Sequence, residues 1–179
     1  MTVYLDTLPS RAGSEFVHVV IDTPKGSRNK FKYDPVLRCF KLGRVLPLGA
    51  SFPYDFGSIP RTLCEDGDAL DAMVLGDVPC FAGCLVVAKL VGGIAGEQTE
   101  SGKTIRNDRL LAVPVTPVNP PVIAHIAELA DAVLREIEHF FVSYNQAHGR
   151  RFTPLERLDR KAAEAILADS ERRYAEAHR

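Results

Sequence analysis

The sequence predicts an α+β domain in which a small closed antiparallel sheet carries helices on one side. Up to about residue 118, apolar residues fall into short, β-branched runs separated by Gly, Pro, Asn and Asp; from about residue 122 they follow a helical period. Strands come first and helices second, with no internal repeat and no low-complexity segment. At 179 residues, with 46% hydrophobic and 25% charged side chains, residues 1–179 are expected to form a single domain.

Taken in order, EFVHVVID is a strand of β-branched residues, PKGSRNK a turn, and FKYD and VLRCFKLGRVL resume the strand pattern up to Arg44 and beyond. AMVLGDV, GCLVVAKLVGGI and LLAVPV are further short strands. The character changes at VNPPV. In ADAVLREIEHFFVSYNQ, the residues Val133, Leu134, Ile137, Phe140, Phe141 and Tyr144 mark one helix face. A last helix is predicted from about Arg160 to Ala175, with Asp159 as its N-cap.

Composition removes several functions. The 22 basic and 23 acidic residues leave a formal charge of -1, so no large single-sign field is available to grip nucleic acid or an anionic membrane. Trp is absent, and an acidic cluster would repel a phosphate backbone. MTVYLDTLPSRAGSEF has no basic stretch followed by an apolar one, and no run approaches the roughly 18 apolar residues of a membrane span, so a soluble cytoplasmic protein is expected. The four cysteines, Cys39, Cys64, Cys80 and Cys84, lack zinc spacing and read as reduced thiols; the five histidines are scattered.

The chemistry concentrates in CEDGDALDAM, residues 64–73, where Asp66, Asp68 and Asp71 leave a Gly-containing turn and enter a strand. Taken alone this is an Asx-type turn with solvated acids or a cation site. An EF-hand is excluded, because the glycine at loop position 6 and the glutamate at position 12 are missing. Elsewhere, PKGSRNKFKYD supplies Lys25, Arg28, Lys30 and Lys32, and TIRNDRLLAVP supplies Arg106, Asp108 and Arg109. Carboxylates facing cations are what a metal-bound polyphosphate requires, since the acids hold divalent ions and the bases neutralise outer phosphate oxygens.

FVHVVIDTPKGSRNKFKYD, FPYDFGSIPRTLCEDGDALDAMVLGDVP and HFFVSYN, in this order, resemble the soluble family I inorganic pyrophosphatases from about residue 15 to 175. The resemblance implies a five-stranded OB-like β-barrel at about 15–118, flanked by C-terminal helices at about 122–176. It also implies Mg2+-dependent hydrolysis of pyrophosphate to two phosphates by metal-activated water, and assembly as a homo-oligomer, commonly a hexamer. Residue by residue, it places Asp66, Asp68 and Asp71 on the metal-binding aspartates, with Asp68 also accepting a proton. Lys30 and Arg44 match the substrate lysine and arginine, and Tyr144 the late phosphate-binding tyrosine.

Other positions match with changes. Asp22 stands where Glu is usual, and Arg109 where Lys is usual. Asn107 sits at or one place from a metal-binding Asp, with Asp108 the alternative ligand. Phe52 and Phe56 replace tyrosines, Lys32 replaces a Glu, Asn145 a phosphate-binding Lys, and Ala69 a Pro. GEQTESGKTIRNDR runs about two or three residues longer than usual, which leaves Glu97, Glu100 and Asp108 open as the remaining loop ligand. The missing hydroxyl at Phe56 predicts a rate lower by about tenfold, one transition-state hydrogen bond of about 1.4 kcal/mol. The alternative is a weakened or re-specialised phosphoanhydride hydrolase, or a Mg2+ and phosphate binder with another substrate.

Overall fold

A computed structural model describes residues 7–116 and 121–179. Residues 1–6 of the N-terminal stretch and most of VNPPV, the boundary between strands and helices, lie outside the described residues. The strands are β1 (Arg11–Ala12), β2 (Phe16–Thr23), β3 (Asn29–Asp34), β4 (Cys39–Val45), β5 (Asp55–Ser58), β6 (Asp71–Val74), β7 (Leu85–Glu100), β8 (Lys103–Arg106), β9 (Arg109–Pro114) and β10 (Arg151–Leu158). Helix α1 covers Asp131–Gln146 and α2 covers Arg160–Ala177.

A ring of five strands closes in the order β2, β5, β6, β9, β7 and back to β2, giving the barrel. It is not wholly antiparallel, because β6 pairs with β9 in parallel. Closure needs close backbone approach at one position: a Cβ on Gly57 would stand 2.2 Å from the carbonyl oxygen of Val20. Strand periodicity then divides the core. Ala72, Val74, Leu110 and Ala112 pack in one cluster with Ala163 and Leu167 of α2. Met73 and Leu111, the residues between them, pack in a second cluster with Leu134, Ile137 and Phe141 of α1. Each helix therefore covers one set of alternating side chains from the same strands.

Three sequence-based expectations change. The first helix starts at Asp131, not near residue 122, and a short 3-10 turn at Ile126–Glu128 precedes it, with Glu128 Oε1 accepting from the backbone of Ala124 and His125. The helices do not simply follow the strands, since β10 lies between them and pairs with β7. Its segment, RFTPLERL, buries only Phe152 and Leu158 and carries a proline and three charges, so it has little apolar alternation to show. Thirdly, GEQTESGKTIRNDR is mostly a β7–β8 hairpin, turning at Ser101 and Gly102 with positive φ. The final helix follows expectation: Asp159 Oδ1 accepts from Ala162 N at 2.7 Å. All four cysteines are free thiols, and among the described residues no helix is long and apolar enough to cross a membrane.

Candidate active site

Two local rules assemble the basic wall of a cleft of about 990 Å3. Alternation along β3 sends Lys30 and Lys32 to the same face, and the β3–β4 register sets Lys30 opposite Arg44, which lies inside β4. The acidic wall is the 64–73 segment. Gly67, at φ +83°, allows the turn; Cys64 N donates to Asp68 O at 2.8 Å, and Asp66 Oδ1 accepts from Asp68 N at 3.0 Å. The Asx-type turn is therefore present, and it serves to aim Asp66 and Asp68 into the cleft while Asp71 enters from the first position of β6.

Asp22, Lys30, Arg44, Asp66, Asp68, Asp71, Asn107, Arg109 and Tyr144 all line this one cleft. Asp108 does not. Its Oδ1 accepts from Gly96 N at 3.0 Å and from Arg106 Nε at 2.6 Å, and it faces a smaller cavity beside α2. It lies with Asn107 in the two-residue link between β8 and β9, and these bonds hold its carboxylate away from the cleft, which corrects its candidacy as a ligand there. Of the remaining loop acids, Glu100 lines the cleft and Glu97 does not. Asn145 is buried, and its Nδ2 donates to Phe141 O at 2.8 Å, so this side chain caps its own helix turn and stays out of the cleft.

Lys30 sits over an aromatic floor. Its Nζ lies 3.9 Å from the ring centre of Phe56 and 5.6 Å from that of Phe52, both rings buried. Desolvation pulls the Lys30 ammonium below its ordinary pKa, opposed by the charges of Asp71 and Asp22. Asp22 is pushed up to about 7, chiefly by burial; Lys30 and a hydrogen bond from Ser58 Oγ at 2.8 Å act against the rise. Its Oδ1 is buried without a hydrogen-bond partner. Tyr144 packs its ring against Phe140 and Phe52 and is also raised by desolvation, countered by Arg44 and Arg150, so its hydroxyl stays a donor.

Fixed ion pairs cross the floor. Lys32 Nζ is 2.7 Å and 2.8 Å from the two Asp68 oxygens, and Arg109 is 2.5 Å from Asp71 while also donating to Asn107. Residues the sequence did not single out complete the rim: Arg150, 2.8 Å from Glu100, together with Gln98 and Lys103. Nothing in the spacing of Arg150 marks it, because the reversal from α1 into β10 is what carries it to the site. The cleft has seven cationic side chains (Lys30, Lys32, Arg44, Arg61, Lys103, Arg109, Arg150) and six acidic ones (Asp22, Glu65, Asp66, Asp68, Asp71, Glu100). An anionic ligand therefore meets a balanced surface, not an acidic one.

The carboxylates are hard oxygen donors of the kind that hold Mg2+ or Ca2+, and the orphaned oxygen of Asp22 lacks a partner such an ion would supply. Among the described residues, however, no three of these acids converge around one point, since Lys32 and Arg109 hold Asp68 and Asp71. The residue types fit a divalent cation, and the open capacity lies with Asp22 and Asp66 more than with Asp68 and Asp71.

Comparison with known proteins gives a consistent result. A family profile described as inorganic pyrophosphatase matches residues 19–175. The inorganic pyrophosphatase of Synechocystis sp. is 39% identical over 140 residues, 78% of this chain and 80% of that protein. The crystal structure of the Thermus thermophilus inorganic pyrophosphatase superimposes with a TM-score of 0.87 at 35% identity, covering 97% of this chain and 99% of that one. The Helicobacter pylori enzyme does so with a TM-score of 0.85 at 30% identity, covering 94% and 99%. With its closed five-stranded ring, its two covering helices and this similarity along most of its length, the chain belongs to the inorganic pyrophosphatase family of hydrolases.

Proposed function

We propose that this chain hydrolyses inorganic pyrophosphate to two phosphates with Mg2+ as its activator. The observation that carries the reading is the convergence of Asp66, Asp68 and Asp71 with Lys30, Arg44, Arg109 and Tyr144 on one cleft. Asp22, Asp66 and Asp71 would hold Mg2+, which when bound supplies Lewis-acid polarisation of a phosphoryl oxygen and a more acidic water. Lys30, Arg44 and Arg109 bring positive charge to the phosphoryl oxygens, and the Tyr144 hydroxyl donates a hydrogen bond; both stabilise the departing phosphate as charge develops on it. Asp68 accepts the proton of the water that attacks phosphorus in line. Lys32 must move for Asp68 to do so.

The test is phosphate release from pyrophosphate with and without Mg2+, in the wild type and in Asp68→Asn. Magnesium-dependent turnover that falls about a hundredfold in the variant is the expected result. No turnover at any magnesium concentration would refute the reading. Phe56→Tyr is expected to raise kcat about tenfold by restoring one hydrogen-bond donor at the cleft floor; a variant rate at or below that of the wild type would show that the aromatic floor under Lys30 matters more than the hydroxyl. We also propose self-assembly of the chain, to be read from the mass of the purified protein in solution.

A second reading has support of its own. The fixed cations of the cleft outnumber its acids, and Asn145 is turned into the core. A re-specialised phosphoanhydride hydrolase would release phosphate faster from a nucleoside triphosphate or a short polyphosphate than from pyrophosphate, and the same assay run on all three separates the two.

A further inference from the structure

We propose that Lys32 competes with a divalent ion for Asp68, so that this chain takes up its weakest ion less readily than its carboxylates alone would allow. The inference rests on the reading that the cleft takes divalent cations.

The geometry is that of an occupied cation position. Nζ of Lys32 lies 2.7 Å from one Asp68 oxygen and 2.8 Å from the other, between the two lone-pair sectors a bound ion would use. Mg2+ binds about 2.1 Å from a carboxylate oxygen and demands near-octahedral surroundings, so it cannot share that carboxylate with an ammonium group at this distance. The two cations would repel, and entry of the ion requires the lysine to leave.

Three features keep Lys32 there. It is two residues from Lys30 on β3, so strand alternation commits it to the cleft face whatever its own preference. Its cross-strand neighbour is Lys41, a like charge directly opposite. That conflict is resolved by giving each lysine its own acid: Lys41 pairs with Asp34 at 2.8 Å within the hairpin, and Lys32 reaches across the cleft to Asp68. Arg109 holds Asp71 in the same way from the opposite wall. Because the Lys32–Asp68 pair is exposed, it contributes little to folding, and its consequence falls on the charge of the cleft.

The experiment is calorimetric titration of Mn2+ into the metal-stripped full chain, comparing wild type with Lys32→Gln and with Lys41→Gln. Lys41→Gln removes the same charge from the same hairpin but lies away from Asp68. The proposal expects Lys32→Gln to bind one additional Mn2+ per chain, or its weakest Mn2+ at least tenfold more tightly, with Lys41→Gln matching wild type. Equal stoichiometry and affinity in wild type and Lys32→Gln would overturn it, and so would equal gains in both variants, which would trace the effect to general charge. Melting temperatures of both variants establish that the fold is kept. Phosphate release from pyrophosphate by the same samples separates the two readings: a wild type that binds Mn2+ and releases nothing sinks the hydrolase while the Lys32 result stands on its own.

Discussion

Lys30→Met is expected to lower kcat/KM for pyrophosphate by about a thousandfold while leaving the melting temperature unchanged or higher. The side chains are of similar length, so what is removed is the charge. Lys30 is held by the β3–β4 register beside Arg44, half-buried over the rings of Phe56 and Phe52. In such surroundings a fixed positive charge aimed at a developing phosphate charge is worth far more than in water, and losing one donor of this kind commonly costs a hundredfold to a thousandfold. The upper end is expected here, because an ammonium carries a full charge. Stability moves the other way: desolvation already pulls the Lys30 pKa down, so its burial is a cost to the fold that Met does not carry. Steady-state kinetics together with thermal melts test both halves, and a variant that loses activity only by melting would refute the assignment of Lys30 to the chemistry.

Asp22→Asn is expected to stabilise the metal-free protein, by about 2–4 kcal/mol at pH 8 and by progressively less as the pH falls toward 4. The sign follows from the direction of the shift. Asp22 is raised from 3.8 to about 7 in the folded chain, mainly by burial. Between these values the folded state holds a proton that the unfolded state has lost, so wild-type stability declines as pH rises from about 4 to about 7 and stays at its lower level above. An uncharged Asn keeps the acceptor for Ser58 and carries no such penalty. Denaturant melts at pH 5 and pH 8 in the presence of a chelator measure the difference. A gain that is the same at both pH values would mean that Asp22 is not held neutral by its surroundings. Saturating divalent ion should shrink the advantage if the orphaned Asp22 oxygen is a ligand, because the ion then stabilises only the wild type.

Most of the cleft was legible as residue types in order. The acids of CEDGDALDAM, Lys30 and Lys32 of PKGSRNKFKYD and the arginine two places beyond Asn107 all line it, whereas Lys25 of the same segment turns away to the carbonyls of Gly76 and Asp77. The failures have local reasons. Asp108 was an open alternative because adjacent residues look equivalent in a motif, yet long-range bonding decides between them: Gly96 N and Arg106 hold the Asp108 carboxylate away from the cleft. Asn145 and Tyr144 are likewise adjacent on α1, and only the tyrosine reaches the cleft. β10 escaped notice because its partner, β7, supplies the pairing and the apolar ring of Phe152 does most of the packing. The approach is so close that a Cβ on Gly96 would stand 2.3 Å from that ring.

The sequence by itself determined the kinds of element, the N-cap of the last helix, and the list of carboxylates and cations, because each depends on residues within a few positions of one another. Its family resemblance carried the five-stranded barrel, but it did not show the parallel pairing of β6 with β9. That pairing depends on β9 returning beside β6 after the β7–β8 hairpin, while β7 closes the ring by pairing β2 and β9 along adjacent stretches. The charge state of the site was likewise decided by tertiary structure. Asp68 and Lys32 are 36 positions apart, and Arg150 comes in from the far side of a helix. Coulomb interactions act through space with no regard for sequence separation, so whether four acids are a metal site or a set of ion pairs is settled only by what the fold places against them.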